Sequence, residues 1–197
     1  TFLLDVVGAR DDAVYVLKNV IDEDPDHVQA AERLADLFEQ AGDGQQLVEL
    51  LQRQLDRARD RQDVETIVAL SLRMGQLIEP TDPHAAIDFY RGGLDWAADN
   101  ADLLEELLAH YGEDADPRER AGLMERLLAV SKGEAGAALA NELIAIWRSL
   151  DDEHAAARAL DLGFRAHPND ASLRSRLEAH YREREEYAEL AEMIVYD

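Results

Sequence analysis

The chain has 197 residues, of which 47% are apolar, a composition typical of a folded protein rather than a disordered one. Its 43 acidic residues against 20 lysines and arginines give a net charge of −23, which opposes binding to nucleic acid and to anionic membrane surfaces. There is no cysteine, so disulfides, thiolate metal sites and cysteine nucleophiles are excluded.

Apolar residues recur at steps of three and four along most of the chain, which is the spacing of one face of an α-helix. Leu34, Ala35 and Phe38 show this spacing. β-branched residues are sparse and no segment alternates strictly between apolar and polar residues, so no strand is predicted. Twelve helices are predicted, near residues 1–8, 10–23, 26–41, 43–60, 62–79, 82–98, 100–112, 116–131, 134–150, 152–167, 169–184 and 186–196.

Turn signals separate these helices. Four of the predicted starts follow an aspartate, a residue type whose side chain accepts a hydrogen bond from the first free N–H groups of a helix. These aspartates are Asp63, Asp82, Asp116 and Asp170. The stretch from Gly8 to Asp11 is interpreted as a turn between the first two helices.

The sequence repeats with a period near 34 residues. The segments Leu107–Tyr111 and Leu177–Tyr181 match closely at a separation of two periods. Two series of anchor residues continue the period along the chain. The first is Leu4, Phe38, Ile78, Tyr111, Trp147 and Tyr181, and the second is Ala13, Leu47, Ala86, Leu123, Ala156 and Leu190. Such a period indicates stacked helix pairs that bury a shared core.

At these anchors the chain resembles the tetratricopeptide repeat (TPR) family. Its first-helix signature fits Leu34-Ala35-x-x-Phe38 and Met74-Gly75-x-x-Ile78. Its second-helix signature fits Ala13-x3-Leu17-x2-Val20-x4-Pro25 and Ala156-x3-Leu160-x2-Gly163-x4-Pro168. The resemblance covers nearly the whole chain. It implies an all-α, right-handed superhelix (solenoid) of about six antiparallel helix pairs.

One TPR-like domain is therefore expected over residues 1–197. Its repeats are predicted at 1–27 (partial), 28–61, 62–100, 101–133, 134–170 and 171–197 (partial). Both ends lack the polar capping helix that solenoids normally carry, so a fragment of a longer chain is expected. The bias toward arginine and alanine favours a bacterial source. The lack of cysteine and of a signal segment favours the cytoplasm.

No motif predicts catalysis, a cofactor or a metal. His110 and His180 lack the Glu-x-x-His or His-x-x-x-His spacing that would place two ligands on one helix face. The acidic segment 22–26 begins like a calcium loop, but His27 and Arg33 stand where that loop needs glycine and glutamate. The chain is therefore not expected to be an enzyme.

The family resemblance implies a concave surface, lined by the first helices of successive pairs, that binds a protein or peptide. The predicted groove residues are Glu32, Asp36, Glu39, Glu105, Asn141 and Arg148. The groove is expected to be acidic near its start and mixed in charge further on, which favours a basic partner. A Lys/Asn/Arg clamp for a peptide carboxylate is not expected. The alternative interpretation is that these carboxylates only keep the chain soluble.

Three functions remain open from the sequence. The leading one is a non-catalytic protein-interaction scaffold. The second is a structural spacer or self-association element that acts through its apolar ends, for example through Leu3 and Ile194. The third is a regulatory repeat region attached to a catalytic domain elsewhere in a longer chain.

Overall fold

The computed structural model describes residues 2–112 and 115–195, with side chains for 9–112, 115–191 and 193. All regular secondary structure in these residues is α-helical, which confirms the predicted all-α class. The eleven helices of the described residues are α1 (Phe2–Glu23), α2 (Val28–Ala41), α3 (Gly44–Arg61), α4 (Val64–Ile78), α5 (Pro83–Leu94), α6 (Ala101–Ala109), α7 (Pro117–Val130), α8 (Gly133–Ser149), α9 (Glu153–Ala166), α10 (Ala171–Glu183) and α11 (Tyr187–Val195).

The predicted turn between residues 8 and 11 is wrong, because α1 runs unbroken from Phe2 to Glu23. The segment around Gly8 contains no proline, and a glycine inside a helix costs only about 1 kcal/mol. A break would forfeit several backbone hydrogen bonds, so continuation of the helix is favoured. The described part of the chain is therefore one leading helix followed by five helix pairs, rather than six pairs.

The pairs are α2–α3, α4–α5, α6–α7, α8–α9 and α10–α11, and each helix packs mainly against its neighbours in the chain. Across pairs, α4 contacts α6 and α7 contacts α9. First helices therefore adjoin first helices and second helices adjoin second helices, as in a solenoid. We call the side formed by α2, α4, α6, α8 and α10 the first-helix face.

The predicted N-caps are confirmed. The side-chain oxygens of Asp63, Asp82, Asp116 and Asp170 each accept a hydrogen bond from a backbone N–H in the first turn of the helix that follows. At the other end of α2, Gly42 adopts a left-handed φ of 68°, and its N–H donates to Glu39 O. Only glycine adopts this conformation without steric cost, so the α2–α3 turn is fixed locally.

The helix after Asp82 ends earlier than expected, at Leu94 instead of residue 98. The backbone N–H groups of Trp96 and Ala97 both donate to Gly93 O, which closes the last turn. Gly93 also has little room around it, because a Cβ there would lie 2.7 Å from Leu103 Cδ1 and 2.9 Å from Ser71 Cβ. Close packing between α4, α5 and α6 is thus the role of this glycine.

The core consists of three apolar clusters along the solenoid. The first joins α1 to α4, the second joins α5, α6 and the end of α7, and the third extends from α7 to α11. Small residues allow the helices to approach closely at two crossings. A Cβ on Gly75 would lie 2.1 Å from the Tyr90 ring, and a Cβ on Gly163 would lie 2.4 Å from Ala140 Cβ.

Candidate partner-binding surface

Side-chain contacts tie neighbouring first helices together across the first-helix face. Glu39 on α2 forms an ion pair with Arg73 on α4. Gln76 Nε2 on α4 donates to Glu106 Oε1 on α6 at 2.5 Å. We call these inter-helix contacts rungs. They link adjacent first helices, whose packing forms the surface between them before any partner arrives.

A cavity of about 560 Å³ opens on this face between α4 and α6. We call it the acidic cleft. Its lining residues are Ala69, Leu72, Arg73, Gln76, Asp102, Glu105 and Glu106. Three carboxylates face one arginine, while Ala69 and Leu72 supply an apolar wall. Asp102 and Glu105 make no hydrogen bond or ion pair with any described residue. The cleft therefore presents uncompensated negative charge beside apolar surface.

A second cavity, of about 390 Å³, lies between the starts of α2 and α4. Glu32 and Arg73 both line it, so Arg73 borders this cavity and the acidic cleft at once. Arg57 and Arg61 also line it, and each already contacts another residue of the chain. Arg57 Nη1 donates to Pro25 O at 2.7 Å, and Arg61 pairs with Asp26. The charges of this cavity are more balanced than those of the cleft.

The four acidic groove candidates lie on α2 and α6. Glu39 pairs with Arg73, while Glu32 and Glu105 each line a cavity that Arg73 also lines. Asp36 is exposed on α2 but lines neither cavity. The structure therefore brings three of the four acidic candidates into one neighbourhood.

The other two candidates lie further along the solenoid. Asn141 Oδ1 on α8 accepts a hydrogen bond from Arg176 Nη1 on α10 at 2.6 Å, a third rung. Arg148 Nε lies 3.8 Å from Glu153 Oε2 and lines a cavity of about 290 Å³ together with Arg176. This part of the face carries both signs of charge.

A buried polar group lies behind the acidic cleft. Tyr90 on α5 is fully buried, and burial together with the nearby charges of Glu106 and Glu79 raises its pKa to about 12. Its ring centroid lies 5.8 Å from that of His110, whose Nε2 lies 3.5 Å from Glu79 Oε1. His110 is thus held inside the packing between pairs rather than presented to a ligand.

Neither a metal-binding cluster nor a membrane-spanning helix is found among the described residues. In residues 2–112 and 115–195, no three histidine, aspartate or glutamate side chains are grouped so as to hold a metal ion. Of the described helices, none combines the length and the apolar character needed to cross a bilayer.

Comparison with known proteins identifies the repeat. Residues 7–70 match the tetratricopeptide repeat family, which confirms the resemblance inferred from the sequence. This segment extends from α1 to the middle of α4. TPR proteins typically are non-catalytic scaffolds and generally mediate protein–protein interaction. No curated protein matches the chain.

Several solved structures are similar to the chain. The MamA protein is 15% identical, with 84% of this chain and 87% of that chain covered and a TM-score of 0.44. BtubC from P. vanneervenii is 16% identical, with 100% and 89% covered and a TM-score of 0.44. A thermophilic TPR protein of Thermus thermophilus is 16% identical, with 90% and 93% covered and a TM-score of 0.38.

Sequence reasoning missed the contribution of α4. The anchors Phe38 and Ile78 are 40 residues apart, so Gln76 occupies the position of Asp36 and Leu72 that of Glu32. Applying this register to α4 would have placed both residues in the cleft. Arg73 has no equivalent among the predicted positions, and the sequence contains no signal for its pairing with Glu39.

Proposed function

We propose that this chain is a protein-interaction module whose first-helix face binds an extended, basic peptide segment of a partner. The observation that supports this most directly is the acidic cleft, in which Asp102 and Glu105 are exposed to a ligand without an internal partner. A lysine or arginine side chain matches this lining, because its aliphatic stem packs on apolar surface while its charged end meets the carboxylates.

The wall of the cleft supports a peptide rather than a free cation. Ala69 and Leu72 form one side, and Leu72 remains partly exposed there. Burial of this apolar surface by a peptide adds a favourable contribution that no inorganic cation supplies. The surface is formed in advance by packed helices, so the receptor loses little conformational entropy on binding.

The distribution of charge along the first-helix face favours one orientation of the bound peptide. The cleft between α4 and α6 is acidic, whereas Arg148 and Arg176 accompany Glu153 and Glu183 in the cavity beside α8 and α10. We infer that the most basic part of the partner lies over α4 and α6. Negative charge on the face also accelerates encounter with a basic partner at low salt.

The test is binding of a fluorescently labelled dodecapeptide of alternating arginine and alanine, measured by fluorescence anisotropy. The double variant Asp102→Asn/Glu105→Gln is expected to bind about tenfold more weakly, because each exposed charge pair contributes up to about 1 kcal/mol. Raising the salt concentration from about 0.05 M to 0.5 M is expected to weaken wild-type binding further, because it screens exposed charges.

The matched control removes the same charge from the second helices. Asp88 on α5 and Glu119 on α7 are exposed, and neither lines the acidic cleft. The variant Asp88→Asn/Glu119→Gln has the same net charge as the cleft variant, so it is expected to bind nearly as the wild type does. Equal weakening in both variants would show that total charge, and not the cleft, attracts the peptide, and the proposal would be rejected.

One observation favours self-association as a second candidate. Val16 on α1 occupies the position of Leu50 on α3, since both follow the 34-residue period. Leu50 is 7% exposed, whereas Val16 is 57% exposed and its neighbour Tyr15 is 68% exposed. The side of α1 that corresponds to a stacking surface in α3 is therefore open.

Sedimentation equilibrium tests this second candidate. Self-association through α1 predicts a mass that rises with concentration in the wild type and not in Val16→Lys. A monomer at all concentrations would exclude it. Leu3 and Ile194, which the sequence suggested for such a contact, lie outside the described side chains.

A further inference from the structure

We propose that Arg73 is an internal competitor for the acidic surface, and that the basic partner binds by displacing it from Glu39. This inference rests on the function proposed above and identifies the residue that sets its selectivity. Arg73 supplies from within the chain the same chemistry that the partner would supply from outside, namely a guanidinium beside carboxylates on the first-helix face.

The position of Arg73 is the first support. Among the described residues, it is the one cation that lines the acidic cleft, and it also lines the neighbouring cavity between α2 and α4. Its guanidinium pairs with Glu39 of α2. A peptide that crosses from one cavity to the other must therefore pass over this side chain.

The nature of the contact is the second support. Of the three rungs described above, Glu39–Arg73 is the one that joins opposite charges, while the other two pair a charged side chain with an amide. The Arg73 side chain is 38% exposed and that of Glu39 is 47% exposed. Ion pairs at such exposure are weak, because water solvates both groups well. The pair is therefore replaceable by an incoming cation at little cost.

Displacement gives the surface a preference among partners. A partner with a lysine or arginine at this point exchanges one ion pair for another, so the carboxylate of Glu39 stays paired. A neutral partner leaves the Glu39–Arg73 pair in place and gains nothing from the carboxylate of Glu39. Arg73 therefore lowers the affinity for a basic partner, so tight binding requires further cations on the partner that reach the unpaired carboxylates of the cleft.

A double-mutant cycle with the arginine–alanine dodecapeptide tests the inference. Arg73→Gln is expected to tighten binding about fivefold. The peptide then has no exposed ion pair to break and meets one repulsive charge fewer. Glu39→Gln is expected to weaken binding, because the partner then loses its contact. In the Glu39→Gln background the gain from Arg73→Gln is expected to fall to about twofold or less, since no carboxylate is left to release.

Two further variants separate displacement from overall charge. Arg184 pairs with Glu186 at 2.8 Å, away from the cleft-lining residues, so Arg184→Gln changes the net charge by the same amount and is expected to leave binding nearly unchanged. Arg73→Lys keeps the competing charge and is expected to bind as the wild type does. Circular dichroism of every variant checks that its helices are retained.

The possible outcomes test the competitor role of Arg73 separately from the proposed peptide-binding function. If the cleft carboxylates are required for binding but Arg73→Gln gives the same gain in both backgrounds, Arg73 acts as a general charge and the competitor role is overturned. If the cleft variant and its matched control bind equally, the proposed function itself fails. An affinity that depends on the cleft, with coupling between Arg73 and Glu39, supports both.

Discussion

The close approach of α4 and α5 is testable by a single added methyl group. In Gly75→Ala the new Cβ would lie 2.1 Å from Tyr90 Cε1, 2.5 Å from Cζ and 2.8 Å from Cδ1. Ordinary contacts between carbon atoms are about 3.5–4.0 Å, so the ring must move by more than 1 Å. Tyr90 is fully buried, so its ring cannot relieve the contact by turning into solvent and must displace its neighbours.

The expected loss of stability follows from two opposing contributions. Overpacking of a core costs about 1–3 kcal/mol, and a clash this short belongs at the upper end. Replacing glycine by alanine inside a helix returns about 1 kcal/mol. We therefore expect Gly75→Ala to lower the free energy of unfolding by about 2 kcal/mol, which in a chain of this length lowers Tm by about 4–8 °C.

Gly122 provides the matched control. It also lies inside a helix, α7, but a Cβ there would have nothing within 4 Å. Gly122→Ala is therefore expected to raise the free energy of unfolding by about 0.5–1 kcal/mol. Urea unfolding followed by circular dichroism compares the two variants with the wild type. If Gly75→Ala proved as stable as Gly122→Ala, the close helix crossing would be refuted. Tyr90→Leu combined with Gly75→Ala should recover part of the loss, because the smaller side chain relieves the clash.

Two further predictions concern titration. Hydrogen bonds from the Thr66 side chain and backbone lower the pKa of Asp63 below its ordinary 3.8, so the carboxylate stabilises the folded chain above pH 3.8, and this contribution is lost as the pH falls through the lowered pKa. The difference in Tm between wild type and Asp63→Ala should therefore be full at pH 7 and shrink toward pH 3; a difference independent of pH would contradict this role of the cap. Burial raises the pKa of both Tyr90 and Tyr181 to about 12, so the folded state is stabilised fully below pH 10 and loses this contribution as the pH rises through about 12. In an ultraviolet titration, Tyr90→Phe should remove part of the phenolate absorbance that appears near pH 12 and leave the absorbance that appears near pH 10 unchanged. Loss of the absorbance near pH 10 would contradict the burial of Tyr90.

Helix ends and register could be predicted from the sequence because local chemistry determines them. Asp63 and Asp170 cap their helices as expected, since an N-cap depends on residues only two or three positions away. The unbroken α1 was not predicted from the sequence. Glycine and aspartate near Gly8 favour a turn only where continuing the helix adds little stabilisation. That balance depends on packing along the whole helix and not on the local motif.

The candidate site could be predicted in part. The family register led to Glu105 and Glu32, and the structure places both beside Arg73. The pairing of Arg73 with Glu39 depends on how α2 and α4 are rotated relative to one another, which the sequence period leaves open. Gly75 occupies the small-residue position of the motif. How closely it approaches Tyr90 depends on the packing of α4 against α5, which the motif does not specify.

The division of the core into separate clusters has a consequence for how a partner would act on the protein. The acidic cleft lies between α4, which belongs to the first cluster, and α6, which belongs to the second. A ligand held there contacts both parts of the solenoid at once and adds to the packing of Val68 and Leu72 of α4 against the second cluster. Binding would then strengthen the coupling between two neighbouring parts of the repeat array. Amide hydrogen exchange in α4 and α6 should slow together when the peptide is added, while exchange in α9 and α10 should stay as it was.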